Sequence, residues 1–419
     1  MSIESPIKRL TIAPMGITTR TSLGWGLETL ELEIREANLL AGRRADIVPN
    51  RGDPVQALRD ALAHPLDYPA LQLALTPDDH VAIVVDEGTP HLVQLLVPLL
   101  EHIQQARVQP EAITLICPPP SADQPWLDEL PDEWQDVHIE VHQPGDRKKL
   151  AYLATTEEGR RVYLNRTAVD ADQVVLLTRR RYDPHVGYAG AETALYPALA
   201  DQPAIDEIST QFDTEVPDLE PSAIQEETRE IVWRLGAPFF VQVIEGAGDG
   251  IANIMAGPLE SSDAGQRLLD ARWRVEFDRA ADVVIASITG DPARLSCEDL
   301  ARAFHAAARV VQPGGSIVLL TEAAPALGPG VELLRHHEDP ALVQQILLEE
   351  KPSDLTAAYL WATAALQARL YLLSGLAGDI AEELFTIPLE HAGQAQKLLT
   401  ERATCILLPD AHRTLAIVV

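Results

Sequence analysis

The sequence predicts a two-domain α/β protein in which each domain is a mostly parallel sheet with flanking helices. Short, continuous apolar runs alternate with segments of helical periodicity, which is typical of α/β architecture. The length of 419 residues is more than one ordinary domain of roughly 150 residues requires. A fresh helix-then-strand unit begins near residue 265. We therefore expect an N-terminal domain at 1–265 and a C-terminal α/β domain at 266–419, with a cleft between them.

Five apolar runs are predicted to be strands of these sheets. Each run is continuous rather than alternating, which favours parallel strands covered on both faces. In chain order they span residues 81–85, 112–116, 174–177, 283–286 and 317–320, and the later segments TCILL and TLAIVV are two further strands.

Three segments carry apolar residues at helical spacing or a helix start signal. They are residues 92–105, residues 300–311 and a stretch beginning at Ser353, a residue type favoured at N-caps. After the second of these helices, the turn Pro313-Gly314-Gly315 is expected to lead into the next strand.

The glycine-rich EGAGDG is flanked by FFVQVI and IANIMA over residues 239–256, and this predicts a β-hairpin. A nucleotide-binding loop is the alternative, but it requires a helix that starts directly after the glycines, and Gly257-Pro258 interrupts any such helix. The acidic residues 206–230 are expected to form a solvated loop that leads into a helix.

Charge and cysteine content restrict the classes of function. Lys and Arg number 33 against 63 Asp and Glu, for a net charge of −30, which argues against nucleic acids and anionic membrane surfaces as partners. Cys117, Cys297 and Cys405 include no CxxC pair, so no disulfide framework is expected. With no apolar leader and no apolar run of about 18 residues, we expect a cytoplasmic protein.

The segment VVDEGTPH lies where a predicted strand ends and a helix begins. Ligands of open α/β sheets gather at the carboxyl ends of strands, so Asp86, Glu87, Thr89 and His91 are expected near a site, with Asp86 and Thr89 as substrate-binding residues. Alternatively, Asp86 or Thr89 caps the helix at Leu92; for Thr89 capping is the favoured interpretation, and for Asp86 the two are even.

The segment TRRRYDPHVGYAGAETA follows another predicted strand. Its arginines, Arg180 among them, could clamp a carboxylate or phosphate, and His185 could act as an acid/base group. Gly187 and Gly190 are spaced to let backbone approach a cofactor. The alternative is a solvated basic turn with a surface histidine, its arginines neutralised by acidic neighbours such as Asp183 and Glu192.

In this order the segments resemble the nickel-dependent lactate racemases. Residues 85–90, VDEGTP, are similar to the S-D-x-T-R-P-like loop that ends a strand in that family. Residues 183–193, DPHVGYAGAET, resemble the family's E-P-H and A-G-[FY]-S-G-G-x-K segments. Residues 281–320 are similar to its strand, G-x-P loop and long helix ending in a glycine turn.

The resemblance implies a two-domain isomerase with its site in the interdomain cleft. There a nickel pincer nucleotide takes a hydride from the α-carbon of a 2-hydroxy acid, two histidines serve as acid and base, a third ligates nickel, and a lysine anchors the pincer. His185 matches one acid/base histidine. The Tyr-Gln-x-x-Lys pattern of the second domain reads as Glu298-Asp299-Leu300-Ala301-Arg302, which makes Asp299 and Arg302 the expected substrate-binding residues.

Several matched positions differ from the family. Thr193 stands at the pincer-anchoring lysine, Gln225 at the nickel-ligating histidine, and Thr89 at the loop arginine, while residues 117–120, CPPP, replace the loop of the second acid/base histidine. No covalent pincer and no protein-held nickel are therefore expected. Two hypotheses follow: a divergent racemase or epimerase of hydroxy acids, or a non-catalytic paralogue that binds a small anion in the cleft. The sequence leaves open which one applies, the identity of the ligand and any protein partner.

Overall fold

The computed structural model describes residues 18–44, 52–119, 124–156, 159–212, 222–400 and 403–419. The strands are β1 (Thr18–Trp25), β2 (Glu28–Arg35), β3 (Arg43–Arg44), β4 (Val81–Val85), β5 (Ile113–Cys117), β6 (His138–Val141), β7 (Leu150–Thr155), β8 (Arg161–Asn165), β9 (Gln173–Arg179), β10 (Arg181–Asp183), β11 (Gly187–Ala189), β12 (Phe239–Glu245), β13 (Ile251–Gly257), β14 (Arg274–Phe277), β15 (Ala281–Ser287), β16 (Val311–Leu320), β17 (Arg369–Leu373), β18 (Thr386–Pro388), β19 (Cys405–Leu408) and β20 (Leu415–Val418). The helices are α1 (Pro54–Ala63), α2 (Leu92–Gln104), α3 (Arg166–Asp170), α4 (Gln202–Ser209), α5 (Ala223–Leu235), α6 (Ser262–Trp273), α7 (Cys297–Ala308), α8 (Pro329–Arg335), α9 (Pro340–Glu350), α10 (Leu355–Gln367) and α11 (Gly378–Glu383).

Two mostly parallel sheets organise the chain, and the predicted α/β class is confirmed. The first sheet has the strand order β13-β12-β9-β4-β5-β6, in which only β13 runs antiparallel to its neighbour. The second sheet, β18-β17-β16-β15-β19, is parallel throughout. The five predicted apolar runs are β4, β5, β9, β15 and β16, and the predicted hairpin is β12–β13.

Each sheet is covered on both faces, as continuous apolar strands require. Alternate residues of β4 enter different cores, with Ile83 on the side of α1 and α2 and Val84 on the opposite side. In the second sheet, Val284 of β15 packs towards α7 and α10, and Ile285 packs under the β1–β2 hairpin. The first described strands of the chain therefore cover the sheet formed by the last third of the chain.

The expected boundary near residue 265 falls inside α6. This helix packs against β12 of the first sheet, and a Cβ at Gly265 would collide with the side chain of Gln242. β14 follows α6 directly and pairs with β20 and β3. The chain thus passes from one sheet to the other through a helix rather than through an open linker.

Three local expectations need correction. Residues 313–315 lie within β16 instead of forming a turn before it, and the β15–β16 register shifts between Ala281 and Val283 to accommodate them. α10 begins at Leu355 rather than at Ser353. Its N-cap is Asp354, whose carboxylate accepts hydrogen bonds from two backbone N–H groups in the first turn of α8.

The third correction concerns the acidic segment. α4 covers Gln202–Ser209, which includes the first residues of the stretch expected as loop, because Ile208 packs into a small core. Residues 213–221 of that stretch lie outside the described residues.

Two further features bear on the expected class of protein. In the described ranges, no helix is both long and apolar enough to cross a membrane. Cys117, Cys297 and Cys405 are all buried free thiols.

Trp361 provides a test of the second core. Its side chain is fully buried in α10, its indole N–H donates to the Leu384 carbonyl oxygen at 2.7 Å, and its ring packs edge-on against Phe304. We expect Trp361→Ala to lower the free energy of unfolding by about 3–5 kcal/mol in urea titrations, since it leaves a large cavity. Trp233→Ala is the matched control, because that ring is 69% exposed, and it should change stability by less than about 0.5 kcal/mol. Equal effects for the two variants would contradict the placement of Trp361.

Candidate functional site

The carboxyl ends of both sheets face a common cleft. Asp86 follows β4, and Arg179 ends β9, in the first sheet. Thr289 follows β15, and Arg413 follows β19, in the second sheet. Since ligands of parallel sheets bind at this edge, the cleft between the two sheets is the candidate site.

Asp86 and Arg179 form a two-pronged ion pair at the centre of this edge. Arg179 Nε donates to Asp86 Oδ2 at 2.8 Å, and Arg179 Nη2 donates to Oδ1 at 3.0 Å. The Gly88 N–H also donates to Asp86 Oδ1 at 3.1 Å. A side chain at Gly88 would collide with the Arg179 guanidinium, so this loop needs glycine for the pair to form.

Burial by itself would disfavour both charges of the pair, but the attraction between them is larger. Contact with Arg179 lowers the pKa of Asp86 to about 2, and Asp86 in turn raises the pKa of Arg179. Asp86 is therefore ionised at neutral pH and holds one arginine of the basic segment in place. Within this loop it acts as a positioning residue and not as a helix cap.

Arg180 points away from its two arginine neighbours, as alternation along an extended chain requires. Its side chain is 1% exposed. The guanidinium donates to the Gly190 carbonyl oxygen at 2.9 Å, to Glu192 Oε2 at 3.3 Å and to Ser262 Oγ at 3.2 Å. The expected substrate-binding role for Arg180 is therefore corrected: Glu192 neutralises it inside the first domain.

Arg181 reaches the cleft and has the longest ion-pair distance of the three arginines in this segment. Its side chain is 39% exposed and approaches Glu298 Oε1 at 4.0 Å, the outer limit of an ion pair. Together with Arg179, it lines the cavities on both sides of the Asp86 loop.

Arg302 joins the two domains. From α7 it donates to the Tyr182 carbonyl oxygen at 2.6 Å and to Asp183 Oδ2 at 3.3 Å, both in the β10 strand. It also pairs with Glu298 on its own helix, where Nη2 lies 2.6 Å from Oε1. Asp299, the other expected substrate-binding residue of α7, forms a capping box with Ser296, although it still lines the cleft.

His185 has both ring nitrogens engaged by the protein. Nδ1 lies 3.0 Å from the Gln211 carbonyl oxygen, and Nε2 lies 2.9 Å from the Thr356 hydroxyl. Because a carbonyl can only accept, Nδ1 carries the hydrogen in this bond. The ring also packs on Phe212, with centroids 4.4 Å apart. The expected acid/base residue therefore forms an interdomain bridge, and it lines none of the cavities around Arg179 and Arg181.

The remaining loop residues are constrained by backbone conformation, burial or a single hydrogen bond. Gly187 and Gly190 have φ angles of 73° and 88°, and a side chain at Gly190 would collide with the Arg179 carbonyl. Thr89 is 1% exposed and does not cap α2, whose N-cap is His91 without a side-chain hydrogen bond. The preference for Thr89 as the cap is thus wrong. Of the strand-end residues, Glu87 accepts a hydrogen bond from the Trp126 indole at 2.7 Å.

Thr193 and Gln225, at the positions implied for the pincer anchor and the nickel ligand, both form hydrogen bonds within the protein. The Thr193 hydroxyl donates to the Gly190 carbonyl oxygen at 3.1 Å. The Gln225 side chain donates to the Val186 carbonyl oxygen at 2.7 Å and accepts from the Ser222 N–H at 3.1 Å. Among the described residues, no group of three or more His, Cys, Asp or Glu is placed to hold a metal ion.

Two adjoining cavities occupy the cleft and share Gly88, Arg179 and Arg181. The strand-edge cavity encloses about 290 Å³ beside Asp86, Pro118 and Thr193. The interdomain cavity encloses about 50 Å³. Its charged lining residues are Arg179, Arg180, Arg181, Glu245, Asp249, Arg294, Asp299, Arg302 and Arg413, together with His412.

Sequence reasoning missed the contribution of the C-terminal turn. Arg413 pairs with Glu245 at 3.1 Å and donates to the carbonyl oxygens of Gly246 and Gly248 at 2.8 and 2.6 Å. It therefore clasps the tip of the β12–β13 hairpin. The same strand-end rule that indicated Asp86 applies to the residues after β19, and it would have found this turn.

Comparisons with known proteins agree with the resemblance indicated by the sequence motifs. Residues 25–212 match the family model of the lactate racemase N-terminal domain. No curated protein shows significant sequence similarity.

Two solved structures share the fold. The lactate racemase apoprotein from Thermoanaerobacterium thermosaccharolyticum superposes with a TM-score of 0.78 at 16% identity, over 95% of this chain and 100% of the other. A protein from Thermotoga maritima gives a TM-score of 0.62 at 10% identity, over 88% and 99%. The chain is thus lactate-racemase-like in its N-terminal sequence and in its fold.

The Asp86–Arg179 pair predicts a specific pH dependence of stability. Because the pKa of Asp86 is lowered from 3.8 to about 2 on folding, its ionisation contributes about 2 kcal/mol at neutral pH. That contribution is present above about pH 5 and is lost as the pH falls towards 2. Urea titrations should show Asp86→Asn destabilised at neutral pH, with the difference from wild type narrowing in acid. Asp78→Asn, at an exposed carboxylate, should show no such trend, and a pH-independent Asp86→Asn effect would refute the pair's role.

Proposed function

We propose that this lactate-racemase-like chain binds a small carboxylate or phosphate in its interdomain cleft and does not racemise hydroxy acids through a nickel pincer. The observation that carries the proposal is the placement of Arg181. Its guanidinium lines both cavities of the cleft and has an acidic group only at 4.0 Å. Arg179 lies beside it, fixed by Asp86.

The charge balance of the interdomain cavity supports an anionic ligand. Leaving out the inward-pointing Arg180, five arginines and three carboxylates line it, in a chain whose net charge is −30. Guanidinium groups bind carboxylate and phosphate in two-pronged geometry, and these charge-assisted hydrogen bonds are strengthened where water is excluded. An anion beside Arg179 and Arg181 would give Arg181 the close acidic partner that Glu298, at 4.0 Å, does not provide.

The contacts at the pincer positions argue against the cofactor chemistry of the resembled family. Thr193 has no amine with which to form the covalent linkage, and Gln225 uses its amide in a helix cap and a backbone contact. His185 cannot accept a proton from a substrate while its ring bridges Gln211 and Thr356. No step through a nickel pincer is derived for this chain.

The competing hypothesis is a divergent racemase. A ligand screen and a mass and metal analysis distinguish it from an anion-binding protein. The three buried free thiols fit a reducing compartment, and we propose that the protein acts in the cytoplasm.

Ligand binding can be tested with a thermal-shift screen of hydroxy acids, dicarboxylates, inorganic phosphate and nucleotides. A ligand at about 100 times its Kd should stabilise the wild type by about 2.7 kcal/mol. Arg181→Ala should remove most of this shift, because it deletes the cation that faces the cleft. Arg20→Ala is the matched control, since Arg20 is 81% exposed on the β1–β2 hairpin. If no compound stabilises the wild type, or if Arg181→Ala responds as wild type does, the proposal fails.

The absence of the pincer is tested on the purified protein, after expression together with the enzymes that make the cofactor. We expect an intact mass equal to that of the sequence and far less than one nickel per chain by metal analysis, because Thr193 cannot form the linkage. The double variant Thr193→Lys with Gln225→His is the positive control, because it restores a lysine for covalent attachment and a histidine for nickel binding. A mass increase with about one nickel per wild-type chain would favour the divergent racemase instead.

A further inference from the structure

A third cavity adjoins the interdomain cavity and lies between the β10–β11 hairpin, α7 and the turn that precedes β20. We call it the histidine cavity. It encloses about 60 Å³, and His305 and His412 are among its lining residues. Arg302 and His412 line this cavity and the interdomain cavity alike. His412 is therefore the imidazole that reaches the compartment of Arg179 and Arg181.

Three buried ring nitrogens in this region have no hydrogen-bond partner among the described residues. They are Nδ1 and Nε2 of His412 and Nδ1 of His305. A neutral imidazole has one N–H donor and one acceptor nitrogen, and leaving such a buried group unpaired is unfavourable. The His412 ring can therefore pair with a ligand without first breaking a bond to the protein.

Cations surround His412 on three sides. Arg413 follows it in the same turn, Arg302 faces it from α7, Arg309 lines the same cavity just after that helix, and Arg179 faces it from the end of β9. Each disfavours a second positive charge on the ring, as does His305 when protonated. Burial, together with Arg413, Arg179 and Arg302, holds the pKa of His412 well below its ordinary value, so that the ring is neutral at pH 7.

The nearby carboxylates are already paired. Asp410 Oδ1 accepts from the Thr289 hydroxyl at 2.6 Å, Asp183 accepts from Arg302 at 3.3 Å, and Glu245 pairs with Arg413 at 3.1 Å. Asp183 and Glu245 offset the arginines that they bind. Asp410 has an uncharged partner and favours an imidazolium, but burial and the arginines outweigh it. An anion bound in the interdomain cavity would make the electrostatic potential at His412 more negative and so favour a protonated ring.

We propose that His412 takes up one proton from solvent when an anion binds beside Arg179 and Arg181, so that the cleft binds anions more tightly as the pH falls. The inference rests on the proposed anion-binding function. The arriving anion offsets the field of the arginines and accepts a hydrogen bond from the ring. A new N–H bond forms on His412, the proton comes from water or buffer, and no electrons are transferred.

The test uses inorganic sulfate, which remains a dianion throughout the neutral range and so adds no titration of its own. Isothermal titration of the full chain between about pH 6 and about pH 8 measures the affinity. Repeating it in two buffers of different ionisation enthalpy counts the protons taken up. For wild type we expect affinity to rise towards about tenfold per pH unit as uptake approaches one proton.

Variants assign the proton to one ring. His412→Gln should show no pH slope in its sulfate affinity and no proton uptake on binding. His305→Gln should keep the slope, because His305 lines only the histidine cavity. His391→Gln, at an exposed histidine that lines neither cavity, is the control and should behave as wild type.

The outcomes separate this inference from the one it rests on. No sulfate binding at any pH overturns both the anion-binding function and the role of His412. Binding without proton uptake in wild type overturns the role of His412 alone and needs no variant. A pH slope that survives in His412→Gln, or one that disappears in His305→Gln instead, likewise overturns the assignment.

Discussion

The ion pair between Asp86 and Arg179 organises the edge of the first sheet on which the cleft depends. It joins the loop after β4 to the end of β9, and its geometry requires the absence of a side chain at Gly88. Once Arg179 is fixed, chain alternation sends Arg180 into the interior and Arg181 towards the cleft. The half-buried Asp86 carboxylate thus fixes Arg179 beside Arg181, and the orientation of β9 between its two cores decides which arginine faces the cleft.

The second domain is held to this edge by polar contacts and by the stacking of Phe212 on Tyr359. Arg302 donates to the β10 strand, Arg413 clasps the β12–β13 hairpin, and Thr356 bonds to His185. Each contact crosses the cleft, and each uses a side chain that could otherwise bind a small molecule. The lactate-racemase-like fold is retained here, while several positions implied in catalysis have become interdomain contacts or helix caps.

The apolar pattern was enough to predict the sheets, because parallel strands buried on both faces must be continuous apolar runs. The rule that ligands bind at strand ends was likewise enough to find Asp86 and the arginine segment. It could not tell which arginine faces the ligand, since that depends on how β9 is oriented between two cores. Helix starts at Thr89 and Ser353 were misjudged because side chains there have tertiary surroundings that a local capping rule does not include. His412 and Arg413 follow β19, where the same rule applies, but their contacts with the hairpin and with α7 depend on the tertiary fold.

The β1–β2 hairpin has a consequence for how the molecule is made. Leu23, Leu30 and Leu32 pack against Val283 and Ile285, about two hundred and fifty residues later in the chain. During synthesis on the ribosome, the hairpin therefore emerges long before the surface that buries it. Contacts so far apart in sequence slow folding and leave apolar surface exposed in the meantime. The cores around the first sheet use residues before 265 and can form as that part is made. The hairpin, however, cannot be buried until the second sheet has been synthesised, and a C-terminal piece cut near residue 265 would lack this cover.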